Sequence, residues 1–330
     1  MHPSACHPGE SRSVALVVRC FNEAAHIGRL LTGVGRQTAV PDEIVLVDSG
    51  STDATLAIAA AFPVTIVRIA PEDFSFGRAL NVGLARVSSE LAVLVSAHVY
   101  PIYDTWIAKL IAPFGDPEVA VAYGRQQIPP GGRFSEQRLL EQWFPATSVA
   151  RQRHPFCNNA NAAIRVGVWA QQPYDEHLTG LEDLDWAKRA IAAGHVASYV
   201  AEAPIAHVHD EGFEQTVNRY RREAIAHKAI YSEQRMGPGA AIHRATSNIL
   251  GDLLAARREG VLTVPTALDV TRFRLAQFYG TYRGFAQQGP VTDLLARRFY
   301  YAKSSSEGIA AVPEDALGHR IDYDEATLVT

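Results

Sequence analysis

The fold turns on the stretch Val14-Ala15-Leu16-Val17-Val18-Arg19-Cys20-Phe21-Asn22-Glu23. Its first five residues are a near-continuous apolar run, the pattern of a strand buried on both faces, as in parallel sheets covered by helices. A helix should follow: Ile27, Leu30, Leu31 and Val34 recur at i, i+3, i+4 and i+7, with Asn22 placed to cap it and Glu23 at its positive end. Ile44-Val45-Leu46-Val47 repeats the strand pattern and ends at Asp48. Ser49-Gly50-Ser51-Thr52-Asp53 then turns the chain, and Ser51 or Thr52 is expected to cap the helix carrying Leu56, Ala59, Ala60 and Phe62. Further strands are predicted at 64–69, 91–95 and 119–123. This alternation gives an α/β fold whose ligands bind at the carboxyl ends of the strands, where Asn22-Glu23, Asp48 to Asp53 and Ser96-Ala97-His98 all fall.

Beyond Pro129-Pro130-Gly131-Gly132, a helix is predicted over 136–149, then an Asn-rich segment over 155–165. Past 211 the chain reads as helices at 215–234, 241–258 and 270–287, several with Arg on a polar face, and 304–330 is polar enough for a tail. The expected division is a flexible 1–12, a catalytic domain over 13–210, a helical extension over 211–303 and that tail. The 330 residues carry 31 basic and 35 acidic side chains, a net charge of −4, which removes the electrostatic case for a nucleic-acid binder. No apolar leader is read at the N-terminus. The longest apolar stretch, 54–70, is broken by Pro63 and Arg68, so no membrane span is expected. Cys6, Cys20 and Cys157 make no CxxC pair, which argues against a disulfide framework or a structural zinc site and for a reducing cytoplasm.

The two strand ends together, Asn22-Glu23 and then Asp48-Ser49-Gly50-Ser51-Thr52-Asp53, resemble the family 2 glycosyltransferases in order and spacing. The likeness continues through Phe76-Gly77-Arg78-Ala79-Leu80-Asn81-Val82-Gly83, residues 158–165 and Glu182-Asp183-Leu184-Asp185-Trp186, covering about 13–210. It is nearest the bacterial rhamnosyltransferase-like branch. The resemblance implies a GT-A fold, that is, a Rossmann-like, mixed, mostly parallel sheet flanked by helices, here with a C-terminal helical extension. It also implies an inverting enzyme that takes a hexose or deoxyhexose from a nucleotide-sugar donor to a glycan, lipid-linked or small-molecule hydroxyl, as in surface polysaccharide synthesis.

Carboxylates at neighbouring strand ends can hold the N–H of a base and the hydroxyls of a ribose. Glu23 and Asp48 fit that role, with Asn22, Ser49, Gly50, Ser96 and Ala97 beside them, while Arg78 could pair with phosphate and Asn81 sits near it. Glu23 and Asp53 also suit the first turns of their helices, and Arg78 and Asn81 read equally as a surface cation and a capping amide. In similar enzymes the Asp of a Glu-Asp pair opening a helix removes the proton from the acceptor hydroxyl; Asp183 has that place, with Glu182 orienting it. Adjacent carboxylates raise one another's pKa, which suits a base near neutrality. Arg125, Gln126, Asn159, Asn161, Trp143 and Trp186 are expected to line the acceptor or sugar pocket, combining apolar and amide contacts, although Trp143 and Trp186 also read as core residues.

The chain departs from the family where an Asp-x-Asp motif would hold Mn2+ or Mg2+ against the diphosphate, since Ser96-Ala97-His98 stands there. Imidazole suits softer cations than these. Two outcomes are open: a divalent metal held through His98 with His207 or His209, or a metal-free site in which protein cations meet the diphosphate. The alternative to an enzyme is a silent nucleotide-sugar-binding scaffold of the same fold, against which the Glu182-Asp183 pair speaks. The Arg-bearing helices past 211 leave two further partners open, an anionic membrane surface and a second copy of the chain.

Overall fold

The computed structural model describes residues 12–129, 131–208, 211–288 and 318–323; the expected flexible N-terminus and most of the expected tail lie outside them. In chain order come β1 (Val14–Cys20), α1 (Ile27–Gly35), β2 (Glu43–Asp48), α2 (Thr55–Ala59), β3 (Thr65–Arg68), α3 (Phe76–Leu84), β4 (Leu91–Ser96), β5 (Val99–Pro101) and α4 (Trp106–Ile111). Then follow β6 (Val119–Gln127), α5 (Phe134–Trp143), β7 (Val149–Gln152), β8 (Asn161–Arg165), α6 (Val166–Gln171), α7 (Glu182–Ala192) and β9 (Val196–His207), and finally α8 (Phe213–Ile230), α9 (Pro238–Arg258) and α10 (Val264–Phe285).

All the strands join one sheet, ordered β3-β2-β1-β4-β8-β6-β9-β5, with β7 on the side of β9. It is parallel from β3 to β4, β8 runs antiparallel between β4 and β6, and β6 is parallel to β9. Alternation along the strands gives the sheet two apolar faces. Leu16, Val18, Leu46 and Val93 meet α1 and Trp106 on one side; Ala15, Val17, Val45 and Leu94 meet Leu80, Leu84 and Trp186 on the other. Register then sets the site: Cys20 pairs with Asp48, and Arg19 pairs with both Val47 and Ser96. Three strands therefore end at one edge, each delivering its polar motif there.

Several boundaries differ from the sequence expectation. Asn22 does not cap α1: its φ is 53°, the cap position belongs to His26, whose side chain makes no capping bond, and neither Ser51 nor Thr52 caps α2. The expected helix over 136–149 ends at Trp143, and the chain adds β7 along β9. The helix expected from 270 starts at Val264, where Thr263 accepts from the Thr266 N–H and Pro265 occupies the first turn.

α8, α9 and α10 pack as a helical layer in which one buried carboxylate ties α9 to α5 and α10. Asp252 of α9, 3% exposed, accepts from Ser135 Oγ (2.6 Å) and Arg138 Nε (3.0 Å) of α5 and from Arg274 Nε (2.7 Å) of α10. The chain then returns to the sheet domain. Residues 318–323 lie along the segment after β5, where Arg320 bridges Tyr103, His319 N–H donates to Asp104 Oδ1 at 3.0 Å and Tyr323 Oη donates to the Pro101 carbonyl at 2.6 Å.

Candidate active site

The loops after β1 and β2 explain each other's sequences. Asn22 N–H donates to Ser51 Oγ (2.9 Å), Glu23 N–H to Thr55 Oγ1 (2.7 Å) and Ala24 N–H to Asp53 Oδ2 (3.1 Å), while Thr52 N–H donates to Asn22 Oδ1 (2.8 Å). The left-handed backbone at Asn22, which asparagine tolerates better than most residues, aims its amide at that partner loop. Asp48 lies beneath, 1% exposed, accepting from the N–H groups of Gly50 (3.1 Å) and Ser51 (3.2 Å). Gly50 has φ 96°, and a Cβ there would stand 2.6 Å from Pro71 Cγ, so the turn demands glycine. Ser49 is buried and donates its hydroxyl to the Cys20 carbonyl at 3.3 Å.

Beside this edge is a cavity of about 300 Å³, walled by the ends of β1, β4, β6 and β9, the start of α7, and α5 and α8. Leu181, with a left-handed φ of 56°, turns the chain so that Glu182 and Asp183 open α7 against the cavity. Such a backbone in a leucine is strain that the surroundings must hold. Glu182 accepts from Arg19 Nη1 at 2.9 Å. Asp183 accepts from the Asn159 N–H (3.1 Å) and, on its other oxygen, from the Leu184 N–H (2.8 Å). Burial first, and then the Glu182 carboxylate, push Asp183 up to about 7, against the pull of those N–H groups and Arg19. A carboxyl poised there can accept a proton near neutrality.

On the opposite wall, His98 Nδ1 lies 2.7 Å from Glu23 Oε1 and His207 Nδ1 lies 2.7 Å from Gln126 Oε1, with the two rings stacked at 5.1 Å. Burial alone would lower His98, but the Glu23 carboxylate outweighs it and holds the imidazolium above the ordinary histidine range. Among the described residues no three His, Cys, Asp or Glu side chains gather around one point. His209 lies outside the described residues. Cationic groups reach the cavity otherwise: Arg19, Arg219 and Arg222 line it, and Arg19 and Arg222 both rest on the Phe76 ring, at 5.1 and 4.6 Å. Gln126, 2% exposed, has its Nε2 buried without a partner among the described residues, and it too lines the cavity.

The residues expected at the site divide accordingly. Ser96, His98, Gln126, Glu182, Asp183 and His207 line one cavity. Asn22, Glu23, Asp48, Ser49 and Gly50 form the adjoining edge and lie outside its wall, and the Ala97 side chain is fully buried in the core. Arg78, half-exposed, faces Glu176 (3.7 Å) and Asp73 (4.0 Å), and Arg125 does not line the cavity.

Four of the expected residues lie away from the cavity wall. Asn81 spends its carboxamide locally, donating to Tyr174 O and Glu176 Oε1 and accepting from Trp169 Nε1. Asn159, 1% exposed, stands behind the carboxylates, its side chain reaching Glu182 Oε1 at 3.4 Å. Asn161, fully buried, accepts from Trp106 Nε1 and donates to the carbonyls of Arg125 and Ala203. Trp186, 1% exposed, donates to the Gln172 carbonyl and packs on Tyr174, because the apolar face of α7 lies on the sheet.

Sequence reasoning assigned no site role to Arg19, Glu136, Arg219 or Arg222. The one signal was spacing: Arg219 and Arg222 stand three apart on a helix whose Thr216 and Tyr220 are buried on the same side.

Comparison with known proteins bears on this geometry. Residues 15–170 match the model of the family described as Glycosyl transferase family 2. The O-antigen chain rhamnosyltransferase RfbN of Salmonella typhimurium is 24% identical over 239 residues, spanning 69% of this chain and 76% of that protein. The O-antigen chain rhamnosyltransferase WbaN of Salmonella anatum is 27% identical over 229 residues, 65% and 72% of the two chains. Among solved structures, the mannosyltransferase PcManGT of Pyrobaculum calidifontis, in complex with GDP-Man and Mn2+, superposes with a TM-score of 0.56 at 18% identity over 91% of this chain and 90% of its own. At that identity the likeness establishes the fold.

Proposed function

We propose that this chain, whose residues 15–170 match the Glycosyl transferase family 2 model, moves a deoxyhexosyl or hexosyl group from a nucleotide-activated donor to an acceptor hydroxyl by one inverting displacement. The names of its relatives make a rhamnosyl donor and O-antigen-type polysaccharide the first combination to test.

Asp183 carries the reading. It is a buried carboxyl at the cavity wall, fixed by two backbone N–H groups and titrating near neutrality. As the acceptor oxygen attacks the anomeric carbon, its proton passes to Asp183. The glycosyl–phosphate bond breaks, and its electron pair leaves with the nucleoside diphosphate. Glu182, held by Arg19, keeps Asp183 basic. Arg19 and Arg222 stand where they can meet phosphate charge, which guanidinium does bidentately. The Gln126 Nε2 is a donor suited to a sugar hydroxyl. The edge holding Asp48 and Glu23 would take the nucleoside.

A screen of nucleotide sugars by thermal shift, with and without Mn2+, tests this, since a ligand of the native state raises Tm. The expected result is stabilisation by one donor and, with an acceptor glycan, a product of inverted anomeric configuration. The reading fails if no nucleotide sugar stabilises the protein. Stabilisation that requires Mn2+ would transfer the neutralising role from the arginines to a cation.

A further inference from the structure

The helical layer exposes an apolar face that the catalytic reading leaves unused. On α9, Ile242, Leu250 and Leu254 are exposed at spacings of eight and four residues, which places them on one side of the helix. On α10, Val264, Leu268 and Leu275 repeat the pattern at four and seven, with Val264 75% and Leu268 60% exposed. Val261 and Leu262, in the connection between the helices, are exposed as well. Exposed apolar residues gathered on helix faces in this number mark an interaction site.

Charge names the partner. Arg244, Arg257, Arg258, Arg272 and Arg283 are all exposed on these two helices. The acidic residues of the same stretch are Asp252, buried against Arg274, and Glu259 and Asp269. The hairpin is therefore positive in a chain whose net charge is −4. A second copy seated face to face would set arginines against arginines, whereas anionic headgroups would neutralise them and the acyl region would take the leucines. Among the described residues no helix is long and apolar enough to cross a membrane, so the hairpin would lie on the bilayer. We propose that the α9–α10 face docks the protein on an anionic lipid surface.

Flotation of the full chain with phosphatidylcholine vesicles, with and without phosphatidylglycerol and at low and high salt, tests the proposal. The parent is expected to float with the anionic vesicles at low salt and to release at high salt. Arg257→Gln with Arg258→Gln should weaken that binding by about fivefold per arginine. Leu254→Asp with Leu268→Asp should abolish it. All four side chains are exposed, so both double variants should keep the parent's Tm, and either one alone suffices for the test. The proposal is overturned if the parent does not float, if it floats equally with neutral vesicles, or if neither variant reduces flotation. It is also overturned if light scattering shows a dimer that Leu254→Asp with Leu268→Asp dissociates, which would make the face a contact between copies.

Discussion

Asp183→Asn should move two readouts in opposite directions. Asp183 is 8% exposed and titrates near 7 in the fold, whereas an aspartate in an unfolded chain titrates near ~3.9. The folded protein keeps this proton over a range in which the unfolded chain has released it, so stability falls as pH rises through that window. At about 1.36 kcal/mol per pH unit the cost reaches ~4 kcal/mol by about pH 8. Asparagine carries no charge and escapes it. The variant loses one hydrogen bond, because Asp183 accepts from Asn159 and Leu184 on different oxygens and a carboxamide has one acceptor; that loss costs ~1–3 kcal/mol. The net gain is then ~1–3 kcal/mol at about pH 8, where ionisation is complete, and the sign reverses between about pH 5 and about pH 6, where the ionisation cost equals the lost bond. Unfolding entropy is about 2.1 cal/mol/K per residue, or about 0.7 kcal/mol/K for 330 residues. The variant should thus melt about 1–4 °C above the parent at high pH and below it at low pH. Turnover should fall by about 10²–10⁴ with nucleotide-sugar affinity unchanged. Melting curves across pH and steady-state kinetics check both. A Tm difference that does not change with pH, or a kcat within about tenfold of the parent, refutes the reasoning.

Glu182→Gln removes the carboxylate that raises Asp183, so the acid limb of kcat/KM should move to lower pH; an unmoved or upward-shifted limb would contradict the pairing. Arg222→Gln should weaken nucleotide-sugar binding by about tenfold or more, the worth of a charge-assisted bond, while UDP- or TDP-sugar titrations showing parental affinity would remove Arg222 from the site. Gly124→Ala should lower Tm: the added Cβ would stand 2.3 Å from both Asn161 Nδ2 and the Ala203 carbonyl, an overpacking that costs ~1–3 kcal/mol. Parental melting would mean that the β6–β9 bridge yields without loss.

The sheet was legible because its strands are buried on both faces and announce themselves as unbroken apolar runs, as in Val14 to Val18 and Leu91 to Val95. The Glu182-Asp183 pair was legible because its setting at a helix start is local. Trp186 read as either pocket or core, because an aromatic after an acidic first turn looks the same whether its helix faces a pocket or a sheet. Asn22, taken as a cap, serves a loop thirty residues on through Thr52, a partnership fixed by strand pairing and invisible to spacing. Arg19, Arg219 and Arg222 come together only because α8 folds back over the strand ends, and no local pattern records that return.

The docking of residues 318–323 beside β5 changes the meaning of the helical layer. Chain on both sides of 211–303 is bound to the same sheet domain, so α8 to α10 sit in the sequence as an insertion between two parts of one unit. A boundary drawn at 210 for expression or domain exchange would remove the cavity wall that α8 supplies and also strip the strap from Pro101 and Asp104. Grafting the layer onto another catalytic domain would accordingly require two splice points.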